Sequence, residues 1–393
     1  NPDACLGVTP NSSSDLKGEC NEEDGYTGHL CAECLEDYSS GIRSTCSKCP
    51  ERVLNILRLT LIFLVISAAL ALMIKSSLDS TAKGKSYFSV YLRILTNYLQ
   101  LVTLASSFEL KWPSSVKSYL NTQEQVGAFG DQAISFDCFI KGSSALPHVV
   151  YTKLLFVNLL PVVFFCLIAV VWGLVWMKRR ARVQVNPDSG ENSTPLPLQS
   201  IKTGIIASFV VTLFLFHPLM LKYNFSLFSC RSLGDGNSYL TRDTSITCWT
   251  RSHTLWTLSV ALPGILIWGI ASPLLALYTI GRNKDDLEDA ETVAKYGFLY
   301  RGFKHRFYYW ESCVLMRKIA IISVAVFLYQ VNRSIQALVC FAAVFIAYRI
   351  HEIARPYVNH ALNSLEVRSL VVGLVVIYCG LFFLTEEVDY TSQ

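Results

Sequence analysis

Six cysteines crowd the first fifty residues: Cys5, Cys20, Cys31, Cys34, Cys46 and Cys49. Two C-x2-C pairs about a dozen residues apart have the spacing of a structural zinc site. The same residues also read as a disulfide framework, which we prefer. So short a stretch, interleaved with Gly, Ser, Asp and Glu, has too little apolar surface to fold without staples. The turn Gly25-Tyr26-Thr27-Gly28-His29-Leu30-Cys31 leads into a cysteine as in small epidermal-growth-factor-like or laminin-like modules. Disulfides would place this head in an oxidising compartment, extracellular or lumenal. No metal and no cofactor is expected. Cys230 and Cys248 are expected to pair, whereas Cys138 is left either unpaired or joined to a head cysteine.

A second set of chemistry-bearing residues lies inside apolar sequence. Arg93, Asn97 and Gln100 are spaced by four and three, which puts them on one helical face. In lipid such a face must turn to the bundle interior or to a wet cavity. It is read as a conduit lining or, preferentially, as interhelical hydrogen bonding, with Asn158 as a partner. His217, beside Pro218, is read as a packing histidine over a proton relay. A third set is basic and aromatic. Arg301, Lys304, Arg306, Arg317 and Lys318 alternate with Phe298, Tyr300, Phe303, Phe307 and Trp310. Such a segment suits an anionic inner-leaflet surface or an aromatic belt. Glu311 is expected to pair with Arg317 or Lys318. The triplets beginning at Asn11, Asn224 and Asn332 are candidate glycosylation sites.

These residues need a membrane to make sense. Of 393 residues, 52% are hydrophobic and only 16% charged, against about 25% charged in soluble proteins. The net charge of +4 and this make-up exclude a nucleic-acid partner, and no enzyme motif is present. Windows of about 20 apolar residues predict an all-α polytopic membrane protein with eight spans: 53–74, 87–108, 149–177, 201–221, 254–280, 313–331, 335–350 and 367–384. The chain divides into a cysteine-rich module over 1–52, a helical domain over 53–385 and an external stub over 386–393. With the head outside, the inner segments hold 19 Lys and Arg against 12 in the outer ones, as the positive-inside rule asks. The expected site is a plasma or ciliary membrane, or an endomembrane. The chain lacks an initiator Met and a signal peptide, as a mature or C-terminal piece of a longer protein would.

Tyr296-Gly297-Phe298-Leu299-Tyr300, Phe307-Tyr308-Tyr309-Trp310-Glu311, Met316-Arg317-Lys318, Arg355-Pro356-Tyr357 and Leu362-Asn363-Ser364-Leu365-Glu366 follow one another in this order. The order resembles the membrane domain of the transient-receptor-potential-like (TRP-like) proteins of fungi and protists. Gly28-His29-Leu30-Cys31-Ala32-Glu33-Cys34 resembles the cysteine-rich module that precedes that domain in many protist members. The resemblance implies a candidate cation channel, or a channel-derived module, that anchors a larger extracellular structure. The alternative is an anchor that does not conduct. Implied partners are membrane lipids, an upstream or associated extracellular protein and, for a channel, further copies of the chain. Only three residues, Asn332-Arg333-Ser334, separate the sixth and seventh windows, too few for a re-entrant pore loop.

Overall fold

The computed structural model describes residues 4–5, 20–28, 31, 33–35, 37–40, 46–82, 87–106, 116, 138, 148–185, 198–233, 236–328 and 332–385. Asn11 and the stub over 386–393 lie outside the described residues. The head holds two antiparallel pairs, β1 (Tyr26–Thr27) with β2 (Glu33–Cys34), and β3 (Tyr38–Ser40) with β4 (Cys46–Lys48). Its core is little more than Ala4, Tyr26 and Cys31, so covalent staples carry the fold. Disulfides join Cys20 to Cys31 and Cys34 to Cys46. Gly25 sits at φ +85°, where a Cβ would meet the Tyr38 ring at 2.3 Å, so only glycine fits this turn.

Helices follow in chain order: α1 (Arg52–Ala82), α2 (Phe88–Ser106), α3 (Val149–Val185) and α4 (Leu198–Ser226). A three-stranded sheet, β5 (Cys230–Ser232), β6 (Ser238–Leu240) and β7 (Asp243–Thr247), precedes a long helix, α5 (Arg251–Arg282). After it come α6 (Ala290–Tyr300), α7 (Trp310–Phe327), α8 (Arg333–Ala354) and α9 (His360–Thr385). The continuous apolar runs leave no period-2 alternation, and in hydrocarbon a helix satisfies its own backbone. In α5 two stretches, Thr257–Ala261 and Leu266–Ala271, widen to i→i+5 bonding just ahead of Pro263 and Pro273. Proline lacks the donor and crowds the preceding turn, and the wider turn accommodates both.

Among the described residues, six helices are long and apolar enough to cross a membrane: Arg52–Leu78, Val149–Lys178, Ile201–Ser226, Arg251–Arg282, Arg333–Ala354 and His360–Phe383. Six of the eight expected windows are thus helices of this kind. The other two windows form helices α2 and α7, but α2 carries Arg93, Asn97 and Gln100, and α7 carries Glu311, Arg317 and Lys318 in only 18 residues. α4 is the central post, with 61% of its apolar window buried against 17% for α1 and α3. The outer faces of α1 and α3 expose Leu57, Leu61, Leu64, Val170 and Val171, an apolar surface suited to lipid.

The two ends of the bundle differ. At one end, Cys49 bonds Cys138, and the Thr244 hydroxyl of β7 donates to Glu33 Oε1 of the head at 3.4 Å. Ser229 Oγ donates to the Val326 carbonyl of α7 at 3.1 Å, so the sheet caps the bundle on the head's side. At the other end, the segment after α6 meets the turn between α8 and α9. Phe303 bridges to Tyr357, and Lys304 N donates to the Pro356 carbonyl at 2.8 Å.

Candidate functional site: a buried ionic cluster

Arg93 lies in the second turn of α2 and is 1% exposed. One terminal nitrogen donates to the Phe298 carbonyl and the other to the Arg301 carbonyl at 3.2 Å. Both carbonyls belong to the last turn and C-cap of α6, where the helix dipole is negative. The guanidinium also lies over the Phe303 ring at 4.7 Å. Its Nε faces Glu311 Oε2 of α7 at 3.4 Å. Arginine is suited to this place because one planar group presents five donors in fixed directions. A lysine would reach one of these acceptors at a time.

A second pair lies alongside. Arg317 of α7 donates from both terminal nitrogens to Glu366 Oε1 of α9 at 3.1 Å. Lys318, 5% exposed, places Nζ 4.0 Å from the centroid of the Phe214 ring of α4. It has no hydrogen-bond partner among the described residues. His351 of α8 sits at 5.8 Å from both the Trp310 and Tyr357 rings. The Asn363 side chain brackets Tyr357, accepting from its N–H at 3.1 Å and donating to its carbonyl at 2.8 Å. Burial and the nearby Glu366 push the Tyr357 phenol up, so it stays neutral. The cluster therefore ties α2, α6, α7 and α9 together at one end of the bundle, with α4 reached through Phe214.

Gly302 permits this arrangement. At φ +91° it turns the chain sharply after α6, and a Cβ there would come within 2.9 Å of Val90. Arg355 takes the matching left-handed position, φ 43°, at the end of α8.

Several sequence expectations are corrected here. Glu311 pairs with Arg93, not with Arg317 or Lys318, because α2 packs against the start of α7. Arg317 and Lys318 are turned into the bundle and do not present their charge to lipid headgroups. Arg301 and Lys304 are half-buried, and Lys304 Nζ donates to the Arg355 carbonyl at 2.7 Å. Arg306 remains exposed, over the Phe307 ring. Asn97 and Gln100 are buried, and their side-chain oxygens lack partners among the described residues. Asn158 bonds Asn224 of α4 through both amides, at 3.2 and 3.3 Å, and not the α2 face. Asn224 is fully buried in α4, which leaves no room for a glycan. Asn332 is exposed and caps α8 through Ser334 N at 2.7 Å. His217 is buried with the Trp268 backbone beside its ring, and neither ring nitrogen reaches full hydrogen-bond geometry among the described residues.

The cysteines also sort themselves. Cys230 and Cys248 are disulfide-bonded across the β5–β7 sheet, and Cys138 takes Cys49. Cys5 enters none of the four described disulfides and instead forms a backbone bridge to Cys20. His253 brings a third ligand atom within 4.8 Å of Cys230 and Cys248. The two sulfurs are spent on each other, however. The ring accepts from Trp249 N at Nδ1, 3.2 Å, and donates from Nε2 to the Leu227 carbonyl, 3.1 Å. No metal site forms there. Glu366, His351 and Tyr357 escaped sequence reasoning as site residues; the one legible sign was an acid immediately before the last apolar window.

Fold and cysteine chemistry together define a helical membrane protein with a disulfide-stapled head that fits an extracellular module. The chain is similar to a protein named cysteine repeat modular protein A, from Toxoplasma gondii. The two are 22% identical over 365 residues, covering 78% of this chain and 12% of that protein. The chain thus spans about an eighth of the length of this curated relative. No family model matches, and no solved structure matches.

Proposed function

We propose that this chain is a membrane anchor that fastens an extracellular cysteine-rich assembly to a helical bundle and does not itself conduct ions. The observation that carries this reading is the Cys49–Cys138 disulfide. It ties the head to the segment between α2 and α3, so that load on the head reaches the bundle at two places, through α1 and through this bridge. The similarity to a much longer protein named for cysteine repeats supports the same reading. In this reading α2 and α7 also lie at membrane depth, giving eight membrane-embedded helices, with the head outside and Arg301, Lys304 and Arg306 at the inner, anionic surface. The upstream or associated extracellular protein is the partner, and the membrane is a plasma or ciliary one.

Cation conduction by a TRP-like domain is the second reading. It draws on one observation: the segments that carry the resemblance supply Phe298, Glu311, Arg317, Lys318, Tyr357 and Glu366, which together with Arg93 build most of the ionic cluster. Against it, Arg93 is spent on the end of α6, and its charge on the Asn97–Gln100 face opposes cations. The test is reconstitution of the chain in planar bilayers. No selective current is expected. A reproducible cation-selective conductance abolished by Asn97→Leu or Gln100→Leu would overturn the anchor reading.

A further inference from the structure

A cavity of about 210 Å³ opens between α4, the last third of α5, α6 and α7. Its walls include Leu213, Leu275, Ala276, Leu299 and Leu315, and it follows α4 from Ile206 to His217, a run of roughly 16 Å along the helix axis. The polar groups on its α5 wall are turned inward to their own helix. Ser272 Oγ donates to the Trp268 carbonyl at 2.8 Å, and Thr279 Oγ1 to the Leu275 carbonyl at 2.8 Å. The lips, Phe209 and Leu275, are exposed at 38% and 49%, on the same side as exposed Leu266, Ile270 and Leu274. Nothing of the ionic cluster lines it, although Lys318 stacks on the far side of its wall at Phe214.

We propose that this cavity holds one acyl chain of a membrane phospholipid. Carbon makes up most of its wall, which disfavours ordered water, and its mouth opens on the apolar flank of a helix long enough to cross a bilayer. What reaches it is therefore hydrocarbon. Its elongation along α4, which crosses the bilayer, matches a chain lying along the membrane normal. His217 closes the deep end. The Trp268 carbonyl lies beside its ring and, with two lone pairs, can serve His217 as well as Ser272, so the ring has a polar neighbour within the protein and asks none of a plain chain. The site is separate from the basic segment after α6, and it would persist whether the chain conducts or only anchors.

The test uses the full chain in nanodiscs containing phosphatidylcholine with a diazirine on one acyl chain, with adducts mapped by peptide mass spectrometry after illumination. Labelling of Leu213 and Ala276 is expected to saturate at a low mole fraction of probe, while labelling of lipid-facing Leu61 and Leu64 on α1 rises in proportion to it. Ala276→Trp, and independently Leu213→Phe, should lower cavity labelling at least fivefold and leave α1 labelling unchanged. His217→Leu should leave saturation intact. Proportional labelling at Leu213 and Ala276 in the unmodified chain overturns the proposal without recourse to any variant. So does cavity labelling by a photoreactive sterol that excludes the phospholipid probe, or loss of saturation in His217→Leu, which would assign a hydroxylated ligand.

Discussion

Arg93 is the residue whose chemistry is hardest to replace. A buried charge in hydrocarbon is tolerated only when paired and hydrogen-bonded, and here two carbonyls and a carboxylate share the task. Arg93→Met removes the cation and strands Glu311, at an expected cost of about 3–5 kcal/mol. Replacing both, as Arg93→Met with Glu311→Met, should recover much of that loss, because the uncompensated carboxylate is then gone. Equilibrium unfolding in mixed micelles checks both outcomes, and a double variant no more stable than the single one would count against the pairing. Asn224 offers a second check at this scale. Buried between α3 and α4, it should carry no glycan, as intact-peptide mass spectrometry would read directly. Asn224→Ala should cost about 1 kcal/mol, the usual worth of an interhelical polar pair.

At the scale of elements, the segment after α6 is held by a few exact-fitting contacts between neighbours far apart in sequence. Gly302 meets Val90, Phe303 stacks on Tyr357 at 4.6 Å, and Lys304 reaches the end of α8. Gly302→Ala forces a side chain into a left-handed backbone and against Val90 at once, an expected loss of about 1–3 kcal/mol. Hydrogen exchange should rise across 301–309 and 355–359 together, since each braces the other, while α3 should exchange as before. A rise confined to 301–309 would show that the two segments do not form one unit. Counting apolar windows misses this level altogether: α2 and α7 are elements whose polar residues Arg93, Glu311 and Lys318 face protein.

For the molecule as a whole, the disulfide between Cys49 and Cys138 decides how the head is held. Closing a loop with a sequence separation of 89 is worth roughly 4–5 kcal/mol in the chain-entropy model. A protease site inserted between Cys49 and Arg52 therefore gives a clear prediction. After cleavage the head should stay with the bundle on a non-reducing gel and leave it on reduction. Cys138→Ser should release the head on cleavage alone. Retention of the cut head in that variant would mean that contacts such as Thr244 to Glu33 hold it without the covalent weld.

The amino-acid sequence by itself determined the class of molecule: apolar runs too long for a soluble core, cysteines too dense for a reduced compartment, and helices in preference to strands. Those features depend on composition and local period, which any stretch of chain carries alone. It also put Arg93, Asn97 and Gln100 on one face, from spacing within one helix, and picked out Cys230 with Cys248, from their place in one short connection between two apolar windows. Only the tertiary structure decided that Arg93 clamps α6 and Glu311, that Asn158 takes Asn224, that Lys318 turns inward and that Cys138 takes Cys49. Each of these joins residues tens to hundreds of positions apart. The physical reason is that a buried polar group must find a partner, but which partner it finds depends on helix packing, and packing is a property of the assembled bundle.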